Sequence, residues 1–454
     1  MERELEAFEA AWRDVTAQSY WDWDTALNGI VTSLTPTESD HARRAHVIAD
    51  LNAALSDLGL HVRPFGSTLS NMGFPDSDVD LLLAGDWRGG PPYLLPESGR
   101  KNLLRRVGAL LYERRMVRGP IEFVLHARVP LIKFVHWSTG VECDLTLQSY
   151  DGALKGRFMA AIAQLDTRFP ALFRLVKLWA RTHECNDASQ STFNSTALMY
   201  MVIFFLQTLG VLPPLRALCP DELARLPRPP GAPADPAAAA GGRGGADEEY
   251  EEVRLLDPRL RSLWVRPAAL DDLIAAVEAR AAAANERKRA ALSGNGAAAA
   301  AAAAGGDPHA AAAVAAVRFE LTQLLAGFLL YWEAPLAAWG EGRLRDWRPD
   351  VWNGGWRCAR FSKAYLCPLE DPFDATDNPA RSIGSASVSP GGQHLYIAAA
   401  VGSNAAALRR LLADAGGGGG GPGAARARAC CTASRGRSGC AGSACCGRRC
   451  RPAK

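Results

Sequence analysis

Apolar and polar positions along the chain change period twice. Over residues 1–60 the pattern is helical. The opening stretch MERELEAFEAAWRDV is acidic and amphipathic, Pro36-Thr37-Glu38 reads as a helix start, and His41–Leu58 keeps a helical apolar period. Between 61 and 150 strand-like runs take over. Phe65–Leu83 (FGSTLSNMGFPDSDVDLLL) ends in an apolar run in which Val79 and Leu81 alternate with Asp78 and Asp80. On a strand that puts the two apolar residues toward a core and both carboxylates on the other face. Val129–Val135 (VPLIKFV) and Val141–Leu147 (VECDLTL) read as two further strands, joined by a hairpin turn at His136–Gly140, and a helix is predicted at Lys101–Arg115. From 151 onward the helical period returns. Leu172, Leu175, Val176, Leu178 and Trp179 form one apolar stripe, a second core. Ala197–Leu206 is the longest apolar run. It is too short to span a bilayer before Gln207 and Thr208, so it reads as a buried helix, and no membrane association is expected.

Composition adds limits. The 454 residues suffice for one large or two medium cores, and 48% hydrophobic with 22% charged residues is ordinary for a soluble globular protein. The net charge of +3 misleads, because residues 421–454 hold seven Arg, one Lys and no acid, leaving about −5 on the remainder. RNA contact therefore does not follow from composition; it would need a local groove or the tail. The acidic N-terminus is no secretory signal. Five cysteines are scattered (143, 185, 219, 358, 367), which suggests free thiols in a reducing compartment; the other six crowd into 430–450 without zinc-site spacing. Residues 227–248 (Pro, Ala, Gly, then acidic), residues 294–316 (with eight alanines at 297–304) and residues 415–454 bury too little apolar surface to offset ordering and are expected to be disordered. The expected divisions are N-terminal helices 1–60 belonging to a helical domain, a catalytic unit 61–150, helical units 151–226 and 249–293, and a closing segment 317–385.

The chemistry lies in a Gly66-Ser67 pair, nine intervening residues, then Ser77-Asp78-Val79-Asp80. Gly66 lets the backbone approach a phosphate, and Ser67 offers a hydroxyl and an N–H to it. Two carboxylates on a rigid strand suit Mg²⁺, or Mn²⁺, which takes few protein oxygens plus substrate phosphates. Asp144, in the strand after VPLIKF, is a third acid from a neighbouring strand, and three such carboxylates suit two metals for in-line displacement at phosphorus. The plain alternative, a Gly-Ser turn followed by an unrelated acidic strand end, leaves Asp144 unexplained.

The constellation Gly66-Ser67, Asp78-x-Asp80 and Asp144 resembles the polymerase-β-like nucleotidyltransferase superfamily. Three further stretches, LDTRFPALFRLVKLWARTHECND (165–187), STFNSTALMYMVIFFLQTLGVLPPL (191–215) and LEDPFDATDNPAR (369–381), resemble its noncanonical poly(A)/poly(U) polymerase branch, most of all the plant terminal uridylyltransferases of small RNAs. The resemblance spans roughly residues 30–385 without the two inserts. It implies an α/β (α+β) fold: a mixed catalytic sheet, a helical poly(A)-polymerase-associated domain, and a cleft between them.

It also implies roles. Asp78, Asp80 and Asp144 hold the metals, Asp144 accepting the proton of an RNA 3′-hydroxyl. Gly66, Ser67 and Ser77 belong to the phosphate-binding signature. Lys177, in the pattern Val-Lys-x-Trp-Ala, contacts the triphosphate; Arg181, four residues on, is either a second contact or a solvated basic face. Ser195 reaches the phosphates, but Thr196 stands where the family carries a base-stacking Tyr, which puts nucleotide affinity or base choice in doubt. Lys155 falls where relatives contact ribose or phosphate. Asp377 occupies the place of a base-reading His. An ionised acid only accepts hydrogen bonds, which leaves uracil and adenine both open. The expected activity is untemplated addition of nucleotides to an RNA 3′ end, with UTP favoured and ATP the alternative, on small RNAs or cleavage products, in the cytoplasm or nucleus. Argonaute or other silencing machinery is a partner by analogy. Two other classes stand against this: a degenerate, RNA-binding scaffold, suggested by Thr196, and a transferase acting on a small molecule or protein.

Overall fold

The computed structural model describes residues 2–17, 20–90, 95–127, 129–147, 151–218, 319–359, 365–373, 377–383 and 392–416, with short pieces at 92, 251–253, 263–265, 275–283, 285–286 and 361. The inserts 227–248 and 294–316 and all of the tail beyond 416 lie outside the described residues.

Five strands form one mixed sheet: β1 (Leu60–Pro64), β2 (Val79–Gly85), β3 (Val117–Val124), β4 (Leu131–His136) and β5 (Glu142–Thr146), in the order β1-β2-β5-β4-β3. The β2/β5 pair is parallel and the others are antiparallel. The alternation read from the sequence is realised. Val62, Val79, Leu81, Leu83, Ile132, Phe134, Cys143 and Leu145 bury one face under α3 (Glu38–Leu55) and α5 (Glu97–Glu113), against Val47, Leu51, Leu104 and Val107. The opposite face carries the acids. Register sets Asp80 opposite Asp144 and Asp144 opposite Lys133, so one charged row crosses three strands. The Pro-Thr-Glu start of α3 is a capping box: the Asp40 amide donates to Thr37 Oγ1 and the Thr37 amide donates to Asp40 Oδ2.

The second core is helical. It gathers α1 (Glu2–Thr16), α2 (Trp21–Leu34), α6 (Asp151–Leu165), α7 (Arg168–Thr182), α8 (Ser195–Thr208), α9 (Leu321–Gly340) and α10 (Gly392–Gly416). Helix α8 is apolar all round and buried from Ala197 to Gln207 except for the half-buried Met199, as its unbroken apolar run requires. Phe8, Phe204, Phe205, Tyr331, Trp332 and Trp356 interlock around it and α9. Three divisions expected from the sequence differ. Helix α3 is not part of the helical lobe; it packs on the sheet, while α1 and α2 alone join α7 and α9. Residues 249–293 are not uniformly helical, since β6 (Glu251–Val253) pairs with β7 (Leu263–Val265) ahead of a helical stretch at 275–283. Helix α10 runs on through 416, two residues into the stretch expected to be disordered. The chain also forms a short ribbon, β8 (Trp347–Asp350) with β9 (Gly355–Cys358). Cys143, Cys185, Cys358 and Cys367 are free thiols. Among the described residues no helix is long and apolar enough to cross a membrane.

Candidate active site

Between β1 and β2 the chain makes a single helical turn, α4 (Gly66–Ser70), packed on α6. Gly66 has a φ of +59°, and a Cβ there would run into the Asp80 carboxylate. The glycine thus serves close approach of the turn to the acid, and the Ser67 amide donates to that acid. Carboxylate oxygens of Asp78, Asp80 and Asp144 all lie within 4.8 Å of one another. Burial, then the charges of Asp78 and Asp144, push the Asp80 carboxyl up to about 7. Asp144 is raised by burial as well, against the pull of Lys133, whose Nζ donates to Asp144 Oδ2 at 2.7 Å. Burial opposes the Lys133 charge, yet the Asp144 carboxylate leaves that ammonium above its ordinary value. Three crowded carboxylates, of which Lys133 pairs with one, fit a divalent cation.

The loop from Asn71 to Ser77 delivers Asp78 and is clamped from both lobes. Arg44 on α3, buried, donates from Nη2 to the carbonyls of Phe74 (2.7 Å), Ser77 (3.3 Å) and Pro75 (3.4 Å). Arg174 on α7, also buried, donates to the Asn71 carbonyl at 2.7 Å. One and two turns further along α7, Lys177 and Arg181 lie over the Phe74 ring, 5.0 and 4.8 Å from its centroid. Neither arginine clamp, nor Lys133, was singled out from the sequence. Lys133 had a signal in its strand alternation; the clamps had none.

A cavity of about 460 Å³ opens from the acids into the helical lobe. It is lined by Gly66, Ser67, Asp78 and Asp80 of the sheet lobe and by Lys155, Gly156, Lys177, Asn194, Ser195, Thr196, Met199, Tyr200, Asp371, Asp377 and Arg381 of the helical lobe. Burial first, and Arg181 second, lower the Lys177 ammonium to about 8. Asn194, rather than Ser195, caps α8: its Oδ1 accepts from the Ala197 amide at 2.8 Å, leaving Ser195 Oγ to face the cavity and reach Asn186 Oδ1 at 3.4 Å. Lys155 Nζ is ion-paired with Asp371 Oδ2 at 2.7 Å, and Asp377 takes Arg381 Nη1 on both oxygens at 2.7 and 2.9 Å. Asn378, fully buried, ties the closing segment together by accepting from the Leu369 and Ala380 amides and donating to the Cys367 carbonyl.

Two sequence candidates are not on the cavity. The Ser77 hydroxyl is buried and accepts the Phe74 amide at 2.8 Å, closing the turn before Asp78. Arg181 is exposed at the surface and stacks on Phe74. Phe193 does not replace the aromatic missing at Thr196; it is core, 2% exposed.

The mixed sheet, its three-carboxylate row and the adjoining helical lobe make the fold a polymerase-β-like nucleotidyltransferase. Residues 24–164 match the model of the central palm domain of mitochondrial-like poly(A) RNA polymerases. The chain is 37% identical over 207 residues to protein HESO1 of Arabidopsis thaliana, an alignment covering 44% of this chain and 40% of that protein. It is 32% identical over 165 residues to human poly(A) RNA polymerase GLD2, covering 35% and 33%. The aligned region thus spans two-fifths or less of these relatives' own length. Among solved structures, mtPAP in complex with UTP superposes with a TM-score of 0.55 at 17% identity, over 86% of this chain and 68% of that one. Cid1, titled for its RNA terminal uridylyl transferase activity, superposes at 0.50 and 14%, over 89% and 96%. The resemblance to the noncanonical poly(A)/poly(U) polymerases is borne out.

Proposed function

We propose that the protein is a template-independent RNA 3′-terminal nucleotidyltransferase that uses UTP and Mg²⁺. The observation that carries this reading is the convergence of Asp78, Asp80 and Asp144, the first two lining a nucleotide-sized cavity that hydrogen-bonding side chains of the helical lobe also line. Asp78, Asp80 and Asp144 would hold the ions, which, when bound, neutralise the triphosphate and acidify the RNA 3′-hydroxyl. Gly66, Ser67 and Ser195 offer backbone and hydroxyl groups to the phosphates. Lys177 holds its proton against the polyphosphate, whose charge opposes the burial that lowers it. Asp144, whose Oδ2 accepts from the Lys133 ammonium, would take the 3′-hydroxyl proton, with Lys133 holding the carboxylate in register. A bond forms from the RNA 3′-oxygen to the α-phosphorus, and pyrophosphate leaves.

UTP is favoured by the resemblance of residues 150–215 to the plant uridylyltransferase branch and by the likeness to Cid1. ATP is the second reading, favoured by Thr196 and Asp377 in the cavity lining and by the likeness to GLD2. Small RNAs or cleavage products as acceptors, delivered by silencing machinery, belong to the same proposal. The deciding experiment incubates the purified chain with a labelled single-stranded RNA, Mg²⁺ and each NTP separately. Extension with UTP is expected, and loss of extension in Asp78→Ala/Asp80→Ala. Extension mainly with ATP would move the protein to the adenylyl side. Extension by the double variant would overturn the assignment of the acids.

A further inference from the structure

We infer that the Tyr200 hydroxyl is a specificity-determining group of this site, donating a hydrogen bond to an acceptor atom on the nucleotide base, a uracil carbonyl under the function proposed above. The inference rests on that function for the identity of the ligand, and on three observations for the residue.

Tyr200 lies one turn after Thr196 on α8, and both side chains line the cavity. The acids, Ser67 and Lys177 are taken by the polyphosphate, and Tyr200, whose charged neighbours are Asp371 and Asp377 instead of the metal-site acids, is left to the nucleoside.

Tyr200 is 0% exposed, and its oxygen has no hydrogen-bond partner. An unpaired buried hydroxyl is costly, and most buried polar side-chain atoms find a partner in protein or ligand. Its charged neighbours are already engaged. Asp371 accepts from Lys155 Nζ on Oδ2 and from the Phe373 amide on Oδ1, at 2.7 and 2.8 Å, and both oxygens of Asp377 take Arg381. Burial first, then Asp371 and Asp377, keep the phenol protonated, so it is available as a donor. A phenol that donates and finds no acceptor in the protein complements a carbonyl on the base edge, as uracil carries.

The test is Tyr200→Phe in the full chain, which removes the hydroxyl and leaves the ring. Equilibrium binding of each of the four NTPs is measured with Mg²⁺ and without RNA, beside a thermal melt. The expected result is an unchanged or slightly raised melting temperature, because an unpaired hydroxyl is lost, and binding of the preferred nucleotide weaker by about tenfold, the order of one hydrogen bond. The other nucleotides change less, so selectivity narrows. Equal weakening for all four would place the hydroxyl on ribose or phosphate and overturn base reading, as would no change for any. Wild-type protein that binds NTPs but extends no RNA would defeat the polymerase function while the binding comparison still decides Tyr200. Wild-type protein that binds no NTP would defeat both.

Discussion

A side chain at position 66 would meet the Asp80 carboxylate on a backbone that L residues rarely adopt. Gly66→Ala is therefore expected to displace the α4 turn or the acid, with RNA extension lowered at least about 100-fold, as a 1 Å misplacement does. Assay of the variant beside wild type checks this. Asp80 carries a further prediction. Its carboxyl is raised to about 7, so the metal-free protein retains a proton there that a divalent cation must displace. Apparent Mg²⁺ affinity should fall as pH drops below about 7, approaching tenfold per unit, and level off above; Mg²⁺ titrations of the melting temperature at several pH values test it. The same raised value means that the chelated protein loses stability from this group as pH rises from the unfolded carboxylate range toward 7. The Gly-Ser pair and three acids were legible because their spacing is local. The Lys133 pairing needed strand register, which a two-residue alternation only half specifies.

At the scale of elements, the loop 71–77 decides where Asp78 sits, and two buried arginines from different helices decide the loop. Arg44→Met leaves the carbonyls of Phe74, Pro75 and Ser77 without that donor, so a loss of about 3 kcal/mol is expected, the upper end for hydrogen bonds to a charged group. A weaker Mg²⁺ half-saturation should accompany it, and denaturant unfolding with a metal titration separates the two effects. Strands β2, β4 and β5 and helices α3, α5, α7 and α8 were legible, because each carries a clean apolar period and the start of α3 a capping signal. The clamp was not. Arg44 is 30 residues from Phe74 and Arg174 is 103 from Asn71, and nothing local marks an arginine that serves carbonyls instead of solvent.

Over the whole molecule, the Lys155–Asp371 pair ties α6 to the closing segment across the cavity wall. Lys155→Ala leaves the nearly buried Asp371 without its cation, and removing one partner of a buried pair costs about 3–5 kcal/mol. Lower stability together with a raised KM for the nucleotide is expected, read by melting and steady-state assay. The carboxylates Glu370 and Asp371 have separate tasks in this segment: Glu370, fully buried, takes Arg348 and Arg357 and holds the ribbon β8/β9, while Asp371 faces the cavity.

By itself the sequence determined the class of chemistry, the sheet alternation and the helical second core, because spacing within a strand or helix places side chains on a common face. Tertiary structure alone decided that α3 serves the sheet, that Ser77 and Arg181 contact the loop before Asp78, and that Tyr200, with an unpaired hydroxyl, lines the cavity. These depend on which distant segments meet, and a partner 30 to 216 residues away leaves no periodic trace in its own neighbourhood.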